Sequence, residues 1–370
     1  AYQSRYDRAA EAAAWAIMEP ARNVELATRA VESTGLGNIK DKIPKNHRKT
    51  LGLMRDLKGA KTHGVVGDDP ATGITEIRRP IGVVGCVVPS TNPIATPANN
   101  IINAVKCGNA IILSPSPKGV QGCERLIGYI HAEFDKIGVP HDLVQMIPAP
   151  GTKVKTQRML EATDLVIVTG SQDNVRRAYS SGTPAIGVGA GNVTVIVDET
   201  ADLKAAAVKI TASKTFDNST SCSSENALVV VDAVYDEFIA ALAAEGGATL
   251  APEMEQHVLD RLWVKGVLNR HALARDAHVL LEALELTDHV PAGTKFVAVP
   301  TSDIGPGHKL SGEKLSLVVA LYRASDYDDA RAIASRILDY QGAGHSIGIH
   351  TGDDSRAMEL GHQTPTCRVI

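Results

Sequence analysis

Ile81-Gly82-Val83-Val84-Gly85-Cys86-Val87-Val88-Pro89 is the stretch whose reading decides the fold. Its apolar residues, rich in valine, run without alternation and stop at a proline. A strand with one face in water alternates polar and apolar residues, whereas a strand buried on both faces does not. The run therefore predicts an inner strand of a parallel sheet. A helical stretch over 96–106 follows, and then a second apolar run over 110–113. Residues 121–137 place Cys123, Leu126, Ile127, Ile130, Phe134 and Ile137 on one helical face. Strands are expected over 143–147, 164–169 and 192–197, with helices over 171–180 and 201–214. This rhythm predicts an α/β fold built on a doubly wound parallel sheet.

Upstream, residues 9–18 and 24–33 read as helices, and Pro44 is expected to break that region. Downstream a second β/α series runs through 227–231, 235–244, 295–299, 316–322, 326–338 and 346–350. The two series meet near Phe216. That predicts two domains, a dinucleotide-binding domain over 1–215 and a catalytic domain over 216–370. The active site is expected at the cleft where they meet.

Composition narrows the function classes. The 370 residues, 44% of them hydrophobic, suffice for two sizeable cores. The formal charge of −4 is balanced and no Lys/Arg run stands out, which speaks against a nucleic-acid partner. No apolar stretch approaches the ~18 residues of a membrane span, and no signal-peptide pattern opens the chain. Cys86, Cys107, Cys123, Cys222 and Cys367 have no CxxC spacing. They argue against a zinc site or a disulfide framework and point to a reducing cytoplasm.

Cys222 differs from the other four. It lies in Lys214-Thr215-Phe216-Asp217-Asn218-Ser219-Thr220-Ser221-Cys222-Ser223-Ser224-Glu225-Asn226, among hydroxyl residues at the mouth of a strand. That place suits a nucleophile better than a core thiol, although a buried free thiol is the commoner case. The other four cysteines read as buried.

Further motifs are individually weak. Gly187-Val188-Gly189-Ala190-Gly191-Asn192 precedes a strand instead of following one, so it fails as a Rossmann fingerprint. It is either a tight turn or backbone passing close to a ligand. Thr169-Gly170-Ser171 ends a strand and opens a helix, which leaves free N–H groups suited to a pyrophosphate. An N-capping serine explains Ser171 equally well. Asn92, in Pro89-Ser90-Thr91-Asn92-Pro93, could project an amide as an oxyanion donor, or form an ordinary Asn-Pro turn. Glu313 and the Gly-rich loop carrying His345 read alone as solvated or turn residues.

Taken together and in this order, these pieces resemble the aldehyde dehydrogenase superfamily, in its CoA-acylating branch. The resemblance rests on residues 89–93, 109–115, 187–192 with 198–202, 214–222 and 313–316. It implies two doubly wound domains of aldehyde dehydrogenase type. It implies that Cys222 is the nucleophile, Asn92 the oxyanion donor acting with the Cys222 N–H, and His345 a histidine near the CoA or nicotinamide end. Pro89, Thr91, Ser114, Thr169, Gly170, Ser171, Gly189 and Glu313 fall in the cofactor-binding positions, Glu313 on the nicotinamide ribose. The cofactor implied is NAD, with NADP as the alternative, because Ser114 stands where many members have a lysine. Coenzyme A is the implied co-substrate. No metal is expected.

Hydrolytic members carry a glutamate where this chain has 187–191 without an acid, so the thioester should await CoA. The hydroxyls beside Cys222 suit a polar or anionic aldehyde such as sulfoacetaldehyde, with acetaldehyde or propionaldehyde as alternatives. A hydrolytic enzyme and a non-catalytic module of the same fold are the competing readings. The family resemblance also implies a homo-oligomer, dimer or tetramer, in the cytoplasm or a bacterial microcompartment. The end of the sequence, Cys367-Arg368-Val369-Ile370, looks like the strand leading on towards the rest of the family's catalytic domain, so the chain is expected to be cut short.

Overall fold

Val83–Val88 is an inner strand, and its residues are buried from Val84 onward. It pairs in parallel with Ala110–Pro115 on one side and Leu165–Thr169 on the other. Val144–Met146 and Ala185–Val188 complete a five-stranded all-parallel sheet. By order of appearance its strands run 3-2-1-4-5 across the sheet, the order of the first five strands of a dinucleotide-binding fold. The order reverses between Val83–Val88 and Leu165–Thr169. Loops leaving those two strands diverge there and open a crevice at the carboxyl edge.

The computed structural model describes residues 2–370. They divide into two units, one of residues up to 35 with 39–189, the other of 36–38 with 190–370. The first holds the five-stranded sheet, its helices and a projecting two-stranded hairpin, Gly64–Asp69 with Ile74–Arg78. Ala95–Lys106 and Val120–Asp135 bury Ile101, Ile102, Leu126, Ile130 and Phe134 in the same core as Val84, Cys86 and Ile111. Each such aliphatic or aromatic side chain contributes roughly 1.5–3 kcal/mol by leaving water.

The second unit holds a seven-stranded parallel sheet. Its strands lie in the order Gly247–Thr249, Phe296–Pro300, Val318–Ala324, Glu225–Val231, Val193–Val197, Ser346–His350 and Arg368–Val369. Glu225–Val231 is buried throughout, as befits a strand covered on both faces.

Two expectations change. The division falls at 189/190, not near 216. Val193–Val197 pairs with Glu225–Val231 and with Ser346–His350, so this strand and the helix Leu203–Thr215 belong to the second unit. Pro44 does not break the chain either. It lies inside the helix Ile39–Leu57 as its sixth residue, and the helix continues past it although the proline cannot donate to the carbonyl four residues back.

Candidate active site

In the first unit the candidate cofactor residues sit at the carboxyl edge of the sheet. Pro89, Thr91 and Asn92 form the half-buried loop after Val83–Val88. Thr169 ends the neighbouring strand, Gly170 follows, and Ser171 caps the helix Gln172–Tyr179 by accepting from the Asn174 N–H at 3.4 Å. Gly170 takes φ 158° and donates its N–H to Val188 O at 3.2 Å. These two loops flank the point where the strand order reverses, and they present backbone N–H groups and a helix N-terminus to an anion. Ser114 behaves differently: it is buried, and its hydroxyl is paired with Thr156 Oγ1 at 2.8 Å.

In the second unit Cys222, Glu313 and His345 lie on loops entering the amino edge of the sheet. Those loops precede Glu225–Val231, Val318–Ala324 and Ser346–His350. Gly191 links them. Its N–H donates to Glu313 Oε1 at 3.0 Å, and a Cβ built on it would stand 2.1 Å from Cys222 O. The glycine segment, read as a tight turn or as backbone close to a ligand, here runs close to the backbone of Cys222. Asn192, at φ 33°, donates its amide to Ser311 O at 2.8 Å and to Gln341 O at 2.9 Å. Gln341 in turn accepts the Glu313 N–H at 2.7 Å. Three loops are therefore tied by side-chain-to-backbone bonds, and the Cys222 loop packs against the first of them.

Burial pushes the Glu313 carboxyl above its ordinary range. The Gly191 N–H and the charges of His345, Lys314 and Lys214 oppose the shift. Cys222 itself is half-buried, within reach of a reagent. The segment before it is strained: Asp217, Asn218 and Ser219 take φ 51°, 52° and 63° in succession. Left-handed backbone costs a non-glycine residue roughly 1–2 kcal/mol. Compensating bonds hold it. Asp217 accepts from the Asn38 N–H at 2.9 Å and from Thr220 Oγ1 at 2.5 Å, and Asn218 Nδ2 donates to Asp276 Oδ1 at 2.7 Å.

Residues 13–256 match the model of the aldehyde dehydrogenase family. The chain is 52% identical to the acylating sulfoacetaldehyde dehydrogenase of Cupriavidus necator, over all of this chain and 75% of that protein. The chain belongs to the aldehyde dehydrogenase family. An acetylating aldehyde dehydrogenase from Geobacillus thermoglucosidasius has a similar structure, with TM-score 0.93 and 33% identity over 99% of this chain and 80% of that one. A propionaldehyde dehydrogenase of Rhodopseudomonas palustris, solved with CoA and an acylated cysteine, has TM-score 0.84. It is 25% identical over 100% of this chain and 82% of its own.

Within this family frame, two groups of residues escaped the sequence reading. Lys214 and Lys314 are fully buried, where lysine is ordinarily expected on the surface. Lys314 Nζ donates to Leu310 O and Gly312 O at 2.5 and 2.7 Å, so it fixes the turn that delivers Glu313. Asn192 and Gln341 act through backbone groups of distant loops. The available signal was Lys214 and Lys314 flanking the two motifs already singled out. Cys367, expected to be buried, is exposed, with its thiol 2.8 Å from His345 O. Cys107 is half-buried, and Cys86 and Cys123 are buried as expected.

Proposed function

We propose that this chain is a CoA-acylating aldehyde dehydrogenase. It converts a small anionic aldehyde, sulfoacetaldehyde, with CoA and NAD to the acyl-CoA and NADH. The observation that carries the acylating chemistry is the closure of the glycine segment. A Cβ on Gly187 would stand 2.7 Å from Val175 Cγ1, and one on Gly191 2.1 Å from Cys222 O. No acid stands in this segment, where the family resemblance places the water-activating glutamate of hydrolytic members. The likeness to the acylating sulfoacetaldehyde enzyme of Cupriavidus necator supports the same reading.

The thiolate of Cys222 attacks the aldehyde carbon, since the thiolate and not the thiol is the nucleophile. The oxyanion so formed is held by the Asn92 amide and the Cys222 N–H. A donor of this kind is typically worth about 2.7–4 kcal/mol. NAD, when bound, supplies the hydride acceptor. The residues at the carboxyl edge of the first unit, Thr169, Gly170 and Ser171 with Pro89 and Thr91, fit its pyrophosphate and neighbouring groups, and Gly189 borders them. Glu313 offers a carboxylate to the nicotinamide ribose. Ser114 fits that role less well, since its hydroxyl is already engaged. Loss of hydride leaves the acyl group on Cys222 as a thioester. The CoA thiol, its proton passing to His345, displaces Cys222 as thiolate. One thioester replaces another, so the step is nearly balanced and reversible.

The serine-rich loop bears on the substrate. Ser219, Thr220 and Ser224 are buried, and their hydroxyls bond within the loop. Ser221 and Ser223, which flank Cys222, are half-exposed and are the hydroxyls that can solvate a sulfonate. An aldehyde panel with NAD, with and without CoA, tests the reading. Sulfoacetaldehyde should give the highest kcat/KM, and NADH should accumulate catalytically only with CoA. A preference for acetaldehyde or propionaldehyde would overturn the substrate assignment alone.

The same reading makes the enzyme a cytoplasmic homo-oligomer, consistent with its scattered cysteines. The projecting hairpin exposes Val65, Ile74 and Ile77, an apolar edge suited to pairing with a second copy. Among the described residues, no helix is long and apolar enough to cross a membrane. Light scattering should show a dimer or tetramer that Ile77→Lys dissociates. An unchanged mass for that variant would remove the hairpin from the interface.

A further inference from the structure

We propose that Lys214 is a positioning residue for the nucleophile: its buried ammonium staples together the two ends of the loop that carries Cys222. The inference rests on the reading that Cys222 is the nucleophile. Lys214 Nζ donates to Ser219 Oγ at 3.2 Å and to Glu225 O at 2.6 Å. Ser219 opens the loop and Glu225 begins the strand that closes it. Ser219 Oγ donates onward to Ser224 Oγ at 2.8 Å, and the Ser224 N–H donates to Ser221 O at 2.9 Å. One lysine head thus reaches both ends of the segment 219–225, and Cys222 stands midway.

The site is built at a cost, which is why it reads as purposeful. Lys214 is wholly buried, and an ammonium there loses its hydration. Burial pushes its pKa down to about 7, against the opposing influence of the neighbouring Glu225 and Glu313 carboxyls. A buried lysine serving packing alone would be replaced by an apolar residue with little loss or a gain. The left-handed run of Asp217, Asn218 and Ser219 needs something to hold it against relaxation. Lys214 acts on the last of these residues directly. Release of the staple lets the strained run relax and carries Cys222 away from its attack geometry. A displacement of an ångström can cost roughly a hundredfold in rate.

The test uses the full-length enzyme and the variants Lys214→Met, Ser219→Ala and Cys222→Ser. Three quantities are measured: the rate of the NADH burst per folded subunit, the rate of Cys222 carbamidomethylation by iodoacetamide, and KM for NAD. Lys214→Met should slow burst and alkylation together, by roughly tenfold to a hundredfold, with KM for NAD within about twofold. Ser219→Ala should show the same pattern more weakly, and the double variant should be no slower than Lys214→Met. A purely structural lysine would lower the folded fraction without changing rates per folded subunit. If Lys214→Met does not fold, Ser219→Ala decides. Wild-type burst and alkylation rates in whichever variant folds would overturn the proposal. NADH formation by Cys222→Ser would overturn the nucleophile reading itself, not only the role of Lys214.

Discussion

Gly191 meets Cys222 through backbone, and that contact makes a one-carbon change informative. A Cβ there would stand 2.1 Å from Cys222 O, so the loop must shift. Gly191→Ala should keep the fold and lose roughly a hundredfold in burst rate, which rapid-mixing absorbance at the NADH band measures. A wild-type burst would remove the contact from the mechanism. Glu313 gives a second test, through pH. Its carboxyl ionises near 4.5 when unconstrained and at a higher pH when folded, because it is buried. The folded state therefore binds more protons across that window. Its contribution to stability is full below about 4.5 and is lost as pH rises through the raised value. Glu313→Gln removes this component, so the Tm of the variant should gain on wild type as pH rises above that window's floor. A constant difference across pH would contradict the assignment. The partial exposure of Cys222 was legible from its hydroxyl neighbours, which do not suit a core. Lys214 was not, because sequence shows a lysine's charge and not the shell of oxygens that lets it be buried.

The element that matters most is the loop 217–225, and its backbone can be tested without touching Cys222. Asn218 takes φ 52°, where glycine is unstrained and alanine is not. Asn218→Gly and Asn218→Ala both lose the bond to Asp276. Chemical denaturation should find the glycine variant more stable by about 1 kcal/mol, reversing the usual order of the two residues. Equal stability would deny the strain. Periodicity told the regular elements well: 235–244 and 346–350 match the helix and strand found there. It missed Ala185–Val188, an edge strand of four residues that contains Gly187 and leaves Ile186 and Val188 exposed. It missed the hairpin 64–78 for the same reason, since that ribbon buries no face. Pro44 was misjudged because a single proline removes one hydrogen bond without ending a helix of 19 residues.

At the scale of the whole molecule, two parallel sheets were foreseeable from alternating apolar runs and amphipathic stretches. The place where one unit ends was not. Val193–Val197 follows the first series directly in sequence, yet it pairs with Glu225–Val231, and strand pairing leaves no mark in a local pattern. The consequence is functional: the glycine segment is the passage from one unit to the other, with Gly189 in the first and Gly191 in the second. That passage carries no acid to activate water, which fits a reaction completed by a thiol. The most direct measurement mixes the full-length enzyme with NAD and sulfoacetaldehyde in the absence of CoA, and follows NADH together with the mass of the Cys222 peptide. A single burst of about one NADH per active subunit, with an acyl adduct on Cys222 that CoA then removes, is the predicted result. Continuous NADH formation without CoA, with release of the free acid and no adduct, would contradict the account.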